Sequence, residues 1–242
     1  MTGTVVLVHG AWHGAWCWER VVPALERRGL RTVALDLPGH GEDPGPLVDL
    51  HGDAARVRRV LDDVDGPVLL VGHSYGGAVI TEAGAHRDVD HLVYLASFPL
   101  RAGESCVACA TAEADAAGID WEGRPNLGAG FVVDAERRIT LDPEVAASCL
   151  YNDCDAETVS WALRRIDAHP SANLEQSPAA VAWQDKPSTY VVCDDDAAVH
   201  PDLQRIVARR CSATVRWPTG HSPFLSRPEL VVDLLAGLAG RP

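Results

Sequence analysis

Short segments that are apolar at every position recur near both ends of the chain, and several are followed by segments with helical periodicity. Continuous apolar strands are typical of a parallel sheet that is covered on both faces. The predicted strands are 4–9, 31–35, 68–71, 91–95, 189–193 and 213–217, and the predicted helices are 16–28, 51–64, 78–86, 201–210 and 228–238. This alternation predicts an α/β protein with a doubly wound, mostly parallel sheet of about six core strands.

The alternation stops for about ninety residues after the fourth predicted strand. The segment 99–186 is polar and Ala-rich, and helices are predicted there only near 143–150 and 155–166. It leaves from the carboxyl end of a strand, which is the edge where ligands bind in such sheets. We therefore expect a core formed by 1–98 and 187–242 and a cap insertion, 99–186, over the site; a merely structural excursion is the alternative.

The segment Gly72 to Gly77 reads GHSYGG, between a predicted strand and a predicted helix. Strand, G-x-S-x-G and helix together are the context of a nucleophile elbow. Glycines at 72 and 76 leave room for a sharp turn that holds Ser74 in a strained conformation, at a helix N-terminus that favours negative charge. The alternative is a Gly-rich turn whose serine only caps the helix.

A serine nucleophile needs a base and a carboxylate that orients the base, and in this arrangement they follow in the order Ser, Asp or Glu, His. Of ten histidines, only His200 and His221 lie in the C-terminal quarter. His221 follows the last predicted strand directly and is the predicted base, whereas His200 begins a helix. The strand ending at 193 is followed by Asp194, Asp195 and Asp196, any of which could be the acid.

Acyl transfer also requires backbone N–H donors that point at the developing oxyanion. Tyr75, directly after the serine, supplies one donor, and the loop Gly10-Ala11 after the first strand can supply the other. His9 and His73 flank these loops, and we expect them to hold the loops by hydrogen bonds rather than to take part in chemistry.

The composition limits the classes of binding partner and the cellular compartment that we expect. Lys and Arg total 21 against 34 Asp and Glu, a net charge of −13, which argues against nucleic acid and membrane partners. No apolar run is long enough to span a bilayer, and no basic leader segment is recognised, so we expect a cytoplasmic protein. The odd count of seven cysteines favours reduced thiols. Cys106, Cys109, Cys149 and Cys154 lack zinc spacing, and we expect no metal and no cofactor.

These motifs together resemble the α/β-hydrolase superfamily, in particular the branch of small esterases that includes plant methylesterases and hydroxynitrile lyases. The matching segments are HGAWHGAWCW at 9–18, DLPGHG at 36–41, GHSYGG at 72–77, DAAV at 196–199 and GHS at 220–222. The resemblance implies Ser74 as nucleophile, His221 as base, Asp196 as orienting acid, and the amides of Ala11 and Tyr75 as oxyanion hole.

One departure from the lyases favours an esterase. Hydroxynitrile lyases of this branch carry a lysine just after the catalytic histidine, to hold the charge of cyanide, and this chain has Ser222 there. The predicted function is therefore hydrolysis of a small neutral carboxylic ester through an acyl-enzyme. The alternatives are a lactonase, an acyltransferase or a biosynthetic cyclase or lyase with the same triad, or a small-molecule-binding protein on a hydrolase fold.

The predicted partner is a small-molecule ester, and the oligomeric state, monomer or homodimer, stays open. Aromatic residues and one histidine on segments that enter the predicted pocket or belong to the cap are candidates for substrate contact. They are Trp12, His13, Phe98, Trp121, Phe131, Trp161 and Trp183. Each cap tryptophan could equally be part of the cap's own core.

Overall fold

A computed structural model describes residues 3–120, 123 and 125–240. Its strands, in chain order, are β1 (Thr4–Val8), β2 (Arg31–Leu35), β3 (Val68–His73), β4 (Val89–Leu95), β5 (Phe131–Val133), β6 (Arg138–Leu141), β7 (His169–Pro170), β8 (Ser188–Cys193) and β9 (Ala213–Trp217). Six of them form one sheet in the order β2-β1-β3-β4-β8-β9, and every pair is parallel. The predicted doubly wound sheet is confirmed.

Helices lie between these strands. They are α1 (Val22–Arg27), α2 (Leu50–Asp62), α3 (Gly76–Ala83), α4 (Cys106–Ala117), α5 (Pro143–Leu150), α6 (Ala156–Leu163), α7 (Ser171–Glu175), α8 (Pro201–Val207), α9 (Pro223–Ser226) and α10 (Pro228–Ala239). Every residue of β1, β3, β8 and α3 is buried, which explains why these segments are mostly apolar and carry no alternating pattern of buried and exposed positions.

Two predicted helices each divide into a shorter α-helix and a 3₁₀ turn. In place of the predicted helix 16–28, the structure has a 3₁₀ turn at Ala15–Trp18 and then α1, which begins one residue before Pro23. Proline favours the first turn of a helix because it has no N–H to offer to a preceding carbonyl, so α1 starts there rather than at Trp16. The segment 201–210 likewise divides into α8 and a 3₁₀ turn at Ala208–Arg210.

The insertion after β4 contains more regular structure than its sequence predicts. The two predicted helices are present as α5 and α6, and the structure adds α4, α7 and a second, antiparallel sheet in the order β5-β6-β7. The insertion contacts the loops at the carboxyl edge of the main sheet: the Trp12 indole donates to the Ile139 carbonyl at 2.9 Å, and the Asn152 side chain donates to the Asp195 carbonyl at 2.9 Å. Within the described part of the chain, no helix is long and apolar enough to cross a membrane.

Candidate active site

The turn between β3 and α3 places Ser74 in a left-handed backbone conformation, with φ at +51°. Its amide donates to the Leu95 carbonyl at 3.1 Å, and its own carbonyl accepts from the amide of Gly77 at 2.9 Å and from the Ser97 hydroxyl at 2.6 Å. A non-glycine residue in this region is costly and persists only when the surroundings impose it. These three hydrogen bonds impose it on Ser74.

The two glycines of the motif are required by close contact between backbones. A Cβ atom on Gly72 would lie 2.5 Å from the Gly76 carbonyl oxygen, and one on Gly76 would lie 2.6 Å from the His9 carbonyl oxygen. Any side chain at either position would therefore push α3 away from β3 or β1. The sharp strand-to-helix turn depends on both glycines.

His221, in the loop after β9, is joined to Asp196, in the loop after β8. The His221 Nδ1 donates to Asp196 Oδ2 at 2.7 Å, and both side chains are buried. The second carboxylate oxygen accepts from the amides of Ala198 and Val199 at 2.7 and 2.8 Å, and the Gln204 amide also donates to Oδ2 at 2.7 Å. Four donors hold the carboxylate in one orientation. With its proton on Nδ1, the imidazole keeps Nε2 as an acceptor.

The other two aspartates of the run lie elsewhere. Asp194 forms ion pairs with Arg205 at 2.7 Å and Arg216 at 3.0 Å, and Asp195 is exposed. Among these three carboxylates, the structure brings only Asp196 to His221.

Two buried histidines hold the loops of the site. His73 Nε2 donates to the His221 carbonyl at 2.9 Å, and the two rings lie 4.6 Å apart. His9 Nδ1 donates to the Gly10 carbonyl at 2.8 Å, and its Nε2 accepts from the Leu37 amide at 3.1 Å. Burial, followed by repulsion from neighbouring histidines, lowers the pKa of both rings well below the ordinary value. They therefore remain neutral at physiological pH.

A pocket with a volume of about 210 Å³ opens where these loops meet the insertion. Its lining among the described residues is mostly apolar and contains no Lys or Arg. The lining residues are Ala11, Trp12, Ser74, Tyr75, Phe98, Cys106, Val107, Ala110, Asn126, Leu127, Gly128, Phe131, Leu174, Ala198, Val199 and His221. Ser74 and His221 thus share one apolar pocket, an environment in which electrostatic interactions are stronger than in water.

The residues predicted to form the oxyanion hole, Ala11 and Tyr75, both line this pocket. Within the described ranges, their backbone N–H groups donate to no protein acceptor in a turn or loop. Trp12, the residue after Ala11, has a left-handed backbone conformation like that of Ser74, with φ at +64°. Two free amides beside the serine are what an anionic intermediate requires.

The predicted substrate-contact residues divide into two groups. Trp12, Phe98 and Phe131 line the pocket. His13 does not: it is buried, its Nδ1 donates to the Ala11 carbonyl and its Nε2 accepts from the Tyr151 hydroxyl, each at 2.9 Å. Burial lowers the pKa of His13 to about 4.

The cap tryptophans lie away from the pocket lining. The Trp161 ring packs edge-on against Trp16 at 5.2 Å between centroids, with the Arg165 guanidinium over its face. The Trp183 indole donates to the Leu100 carbonyl at 2.8 Å. Trp121 lies outside the described residues. The two described tryptophans thus pack against the hydrophobic core and do not line the pocket.

Several residues around the site carry no local sequence signal. The Tyr75 hydroxyl donates to Asp53 Oδ2 at 2.6 Å, and the Asn173 amide donates to the same oxygen at 3.0 Å. Asp153 Oδ2 accepts from the Gly220 amide at 2.7 Å. These contacts join segments that are distant along the chain, so no motif or periodicity could reveal them.

All seven cysteines are free thiols. In the ranges that the structure describes, no group of three or more His, Cys, Asp or Glu side chains is arranged to hold a metal ion. Cys106 and Cys109 are buried on α4, and burial raises the pKa of both thiols, to about 12 for Cys109.

Comparison with known proteins shows which family the chain belongs to. The sequence model described as the alpha/beta hydrolase family matches residues 5–234. The pyrethroid hydrolase of Sphingobium wenxiniae is 28% identical over 98% of this chain and 88% of its own length, and methylesterase 9 of Arabidopsis thaliana is 27% identical over 98% of each chain. The crystal structure of a pyrethroid hydrolase from Sphingobium faniae superposes with a TM-score of 0.85, at 27% identity, over 100% of this chain and 99% of the other.

Proposed function

Because the chain belongs to the α/β-hydrolase family, we propose that it is a serine hydrolase that cleaves a small neutral carboxylic ester through an acyl-enzyme. Its relatives include proteins named methylesterase and pyrethroid hydrolase, and we extend ester hydrolysis to this chain. The observation that carries the proposal is the buried His221–Asp196 pair at 2.7 Å, beside an apolar pocket that Ser74 also lines.

Acylation begins when the Ser74 hydroxyl attacks the ester carbonyl carbon as His221 Nε2 takes its proton. Asp196 fixes the tautomer that leaves Nε2 free and stabilises the imidazolium that forms. The amides of Ala11 and Tyr75 donate to the oxyanion of the tetrahedral intermediate. When the intermediate collapses, the C–O bond to the alcohol breaks and His221 returns the proton to the departing oxygen.

Deacylation repeats these steps with water as the nucleophile. His221 Nε2 removes a proton from water, the hydroxide attacks the acyl carbon, and the same two amides hold the second oxyanion. Collapse releases the carboxylic acid and restores the Ser74 hydroxyl with the proton from His221. The residues of this chain suffice for both half-reactions, and the proposal includes no cofactor.

The pocket chemistry favours an ester over a cyanohydrin. A departing cyanide ion needs a nearby cation, but the described lining contains no Lys or Arg, and Ser222 is a buried, uncharged residue. We therefore propose ester hydrolysis rather than cyanohydrin cleavage. A binding protein without activity would need neither the strained serine nor the oriented imidazole.

The compartment and assembly are part of the proposal. Seven free thiols fit a reducing, cytoplasmic environment. A homodimer is the assembly to test, and sedimentation velocity would distinguish it from a monomer.

Turnover of p-nitrophenyl acetate and butyrate by the purified protein tests the proposed function, with mandelonitrile as the competing substrate class. We expect ester hydrolysis and negligible cyanide release. A protein that releases cyanide efficiently, or that hydrolyses neither ester, would contradict the proposal.

A further inference from the structure

An apolar surface continues outward from the pocket. Of the large hydrophobic side chains that the structure describes, four are exposed, and all belong to the insertion: Val107 at 47%, Phe131 at 36%, Val132 at 58% and Val133 at 56%. Val107 and Phe131 also line the pocket, and the two valines directly follow Phe131 on β5. Exposed apolar side chains that cluster beside a pocket indicate a binding surface rather than scattered surface residues.

The side chains of β5 point alternately to its two faces. Phe131 and Val133 therefore share one face, and Val132 occupies the other. Across the ladder with β6, Val132 pairs with Thr140, which is exposed, so the Val132 face is turned to solvent.

The Phe131 face is turned towards the core. Phe131 pairs with Leu141 and Val133 with Ile139, and both partners are buried. The centroid of the Phe131 ring also lies 5.6 Å from the ring centroid of Trp12, another pocket residue. Val133 is thus on the inward face of the small sheet, and yet more than half of its surface is open to water.

The spacing of a strand shows how far this surface extends. Residues two apart on one strand face are separated by about 7 Å, so Val133 lies about 7 Å beyond Phe131. We define the apolar ridge as Val107, Phe131 and Val133. It prolongs one wall of the pocket, and its three side chains have no charge with which to bind an ionic group.

Resting on the proposed function, we propose that the apolar ridge binds the outer part of an extended apolar arm of the substrate, while the ester carbonyl lies at Ser74. The substrate class is then a neutral ester with one arm too long for the pocket alone. Covering the ridge removes apolar surface of both partners from water, which provides the binding energy.

Chain-length series test this assignment. One series varies the acyl group, from p-nitrophenyl acetate to decanoate, and the other varies the alcohol, from methyl to decyl acetate. In one of the two, kcat/KM should rise with length. Val133→Ser should lower kcat/KM for the longest ester of that series by about threefold to tenfold, because the lost methyl groups no longer cover it. For the shortest ester of that series, p-nitrophenyl acetate or methyl acetate, kcat/KM of the variant should equal that of the wild type.

Val132→Ser is the matched control, because Val132 is equally exposed on the same strand and faces solvent. It should leave both series unchanged. Equal effects of the two substitutions, or no effect of Val133→Ser in either series, would overturn the proposal. A dimer that Val133→Ser dissociates without a change in length preference would also overturn it, since the ridge would then bind a second copy. Failure of the wild type to cleave even p-nitrophenyl acetate would instead contradict the proposed function.

Discussion

The carboxylate of Asp153 accepts a 2.7 Å hydrogen bond from the backbone amide of Gly220, the residue that precedes His221. The Ser226 hydroxyl donates to the same oxygen at 2.7 Å. The adjacent Asn152 side chain donates to the carbonyl of Asp195, which precedes Asp196. One turn of the insertion, between α5 and α6, therefore holds both loops that carry the proposed acid and base.

Replacing Asp153 tests whether this turn positions the imidazole. Asp153→Ala leaves the Gly220 amide without its acceptor, and we expect kcat to fall by about tenfold with a smaller change in KM, because small displacements of a catalytic group are costly. Asp153→Asn retains an acceptor oxygen and should stay close to the wild type. Steady-state kinetics on p-nitrophenyl butyrate would decide, and an alanine variant with unchanged kcat would show that the contact is dispensable.

Substitutions of the three consecutive aspartates should have sharply different effects on kcat. We expect Asp196→Asn to lower kcat by roughly 10³–10⁴, as loss of the orienting carboxylate does in other triads. Asp194→Asn and Asp195→Asn should each cost less than about tenfold, because neither side chain contacts His221. The three variants are isosteric and serve as controls for one another. A sensitive Asp194 or Asp195, with Asp196 tolerant, would show that the acid is assigned wrongly.

The buried carboxyl of Asp53 anchors the residue whose amide we assign to the oxyanion hole. Tyr75 donates to it, and burial raises the pKa of Asp53 to about 7. Asp53→Ala leaves the Tyr75 hydroxyl unpartnered and should lower kcat by about tenfold, whereas Asp53→Asn keeps an acceptor and should restore it. If both variants lower the melting temperature but leave kcat unchanged, Asp53 supports only the fold.

Buried neutral histidines should make stability depend on pH. Burial lowers the pKa of five of them: His9, His13, His40, His73 and His169. In the unfolded chain these groups bind protons near pH 6.5, so the stability that they contribute is complete above that pH. It is lost progressively as pH falls from 6.5 to the folded pKa values, about 4 for His13.

Asp53 acts in the opposite direction, because its folded pKa of about 7 exceeds the unfolded value of about 4, so its contribution is lost as pH rises towards 7. Five histidines outnumber one carboxyl, and we expect the melting temperature to fall between pH 7.5 and 5. Thermal unfolding followed by circular dichroism in matched ionic strength measures this. A melting temperature that is constant or higher at pH 5 would contradict it.

The core was predictable because its signals are local. The runs Val5–Val8 of β1 and Val68–Val71 of β3 are apolar at every position, and the elbow around Ser74 is specified by residues within one turn. The choice among three aspartates could not be made from spacing alone, because it depends on where the loop after β8 passes the loop after β9. Only the resemblance to known esterases pointed to Asp196.

The insertion was less predictable because its structure also depends on contacts between segments that are distant along the chain. β5 has only three residues, all exposed, and pairs with β6 through a short hairpin, so it shows no alternation of buried and exposed positions. Trp161 and Trp183 pack against the core rather than the pocket, which depends on contacts with Trp16 and Leu100 that no short-range pattern encodes.

Covalent labelling by a fluorophosphonate probe, read by peptide mass spectrometry, tests the proposed nucleophile most directly. We expect one adduct per chain on the peptide that contains Ser74, loss of esterase activity in proportion to labelling, and neither labelling nor activity in Ser74→Ala with its fold intact. An unlabelled wild type that still hydrolyses p-nitrophenyl butyrate, or a Ser74→Ala variant that keeps activity within about tenfold of wild type, would contradict the acyl-enzyme mechanism.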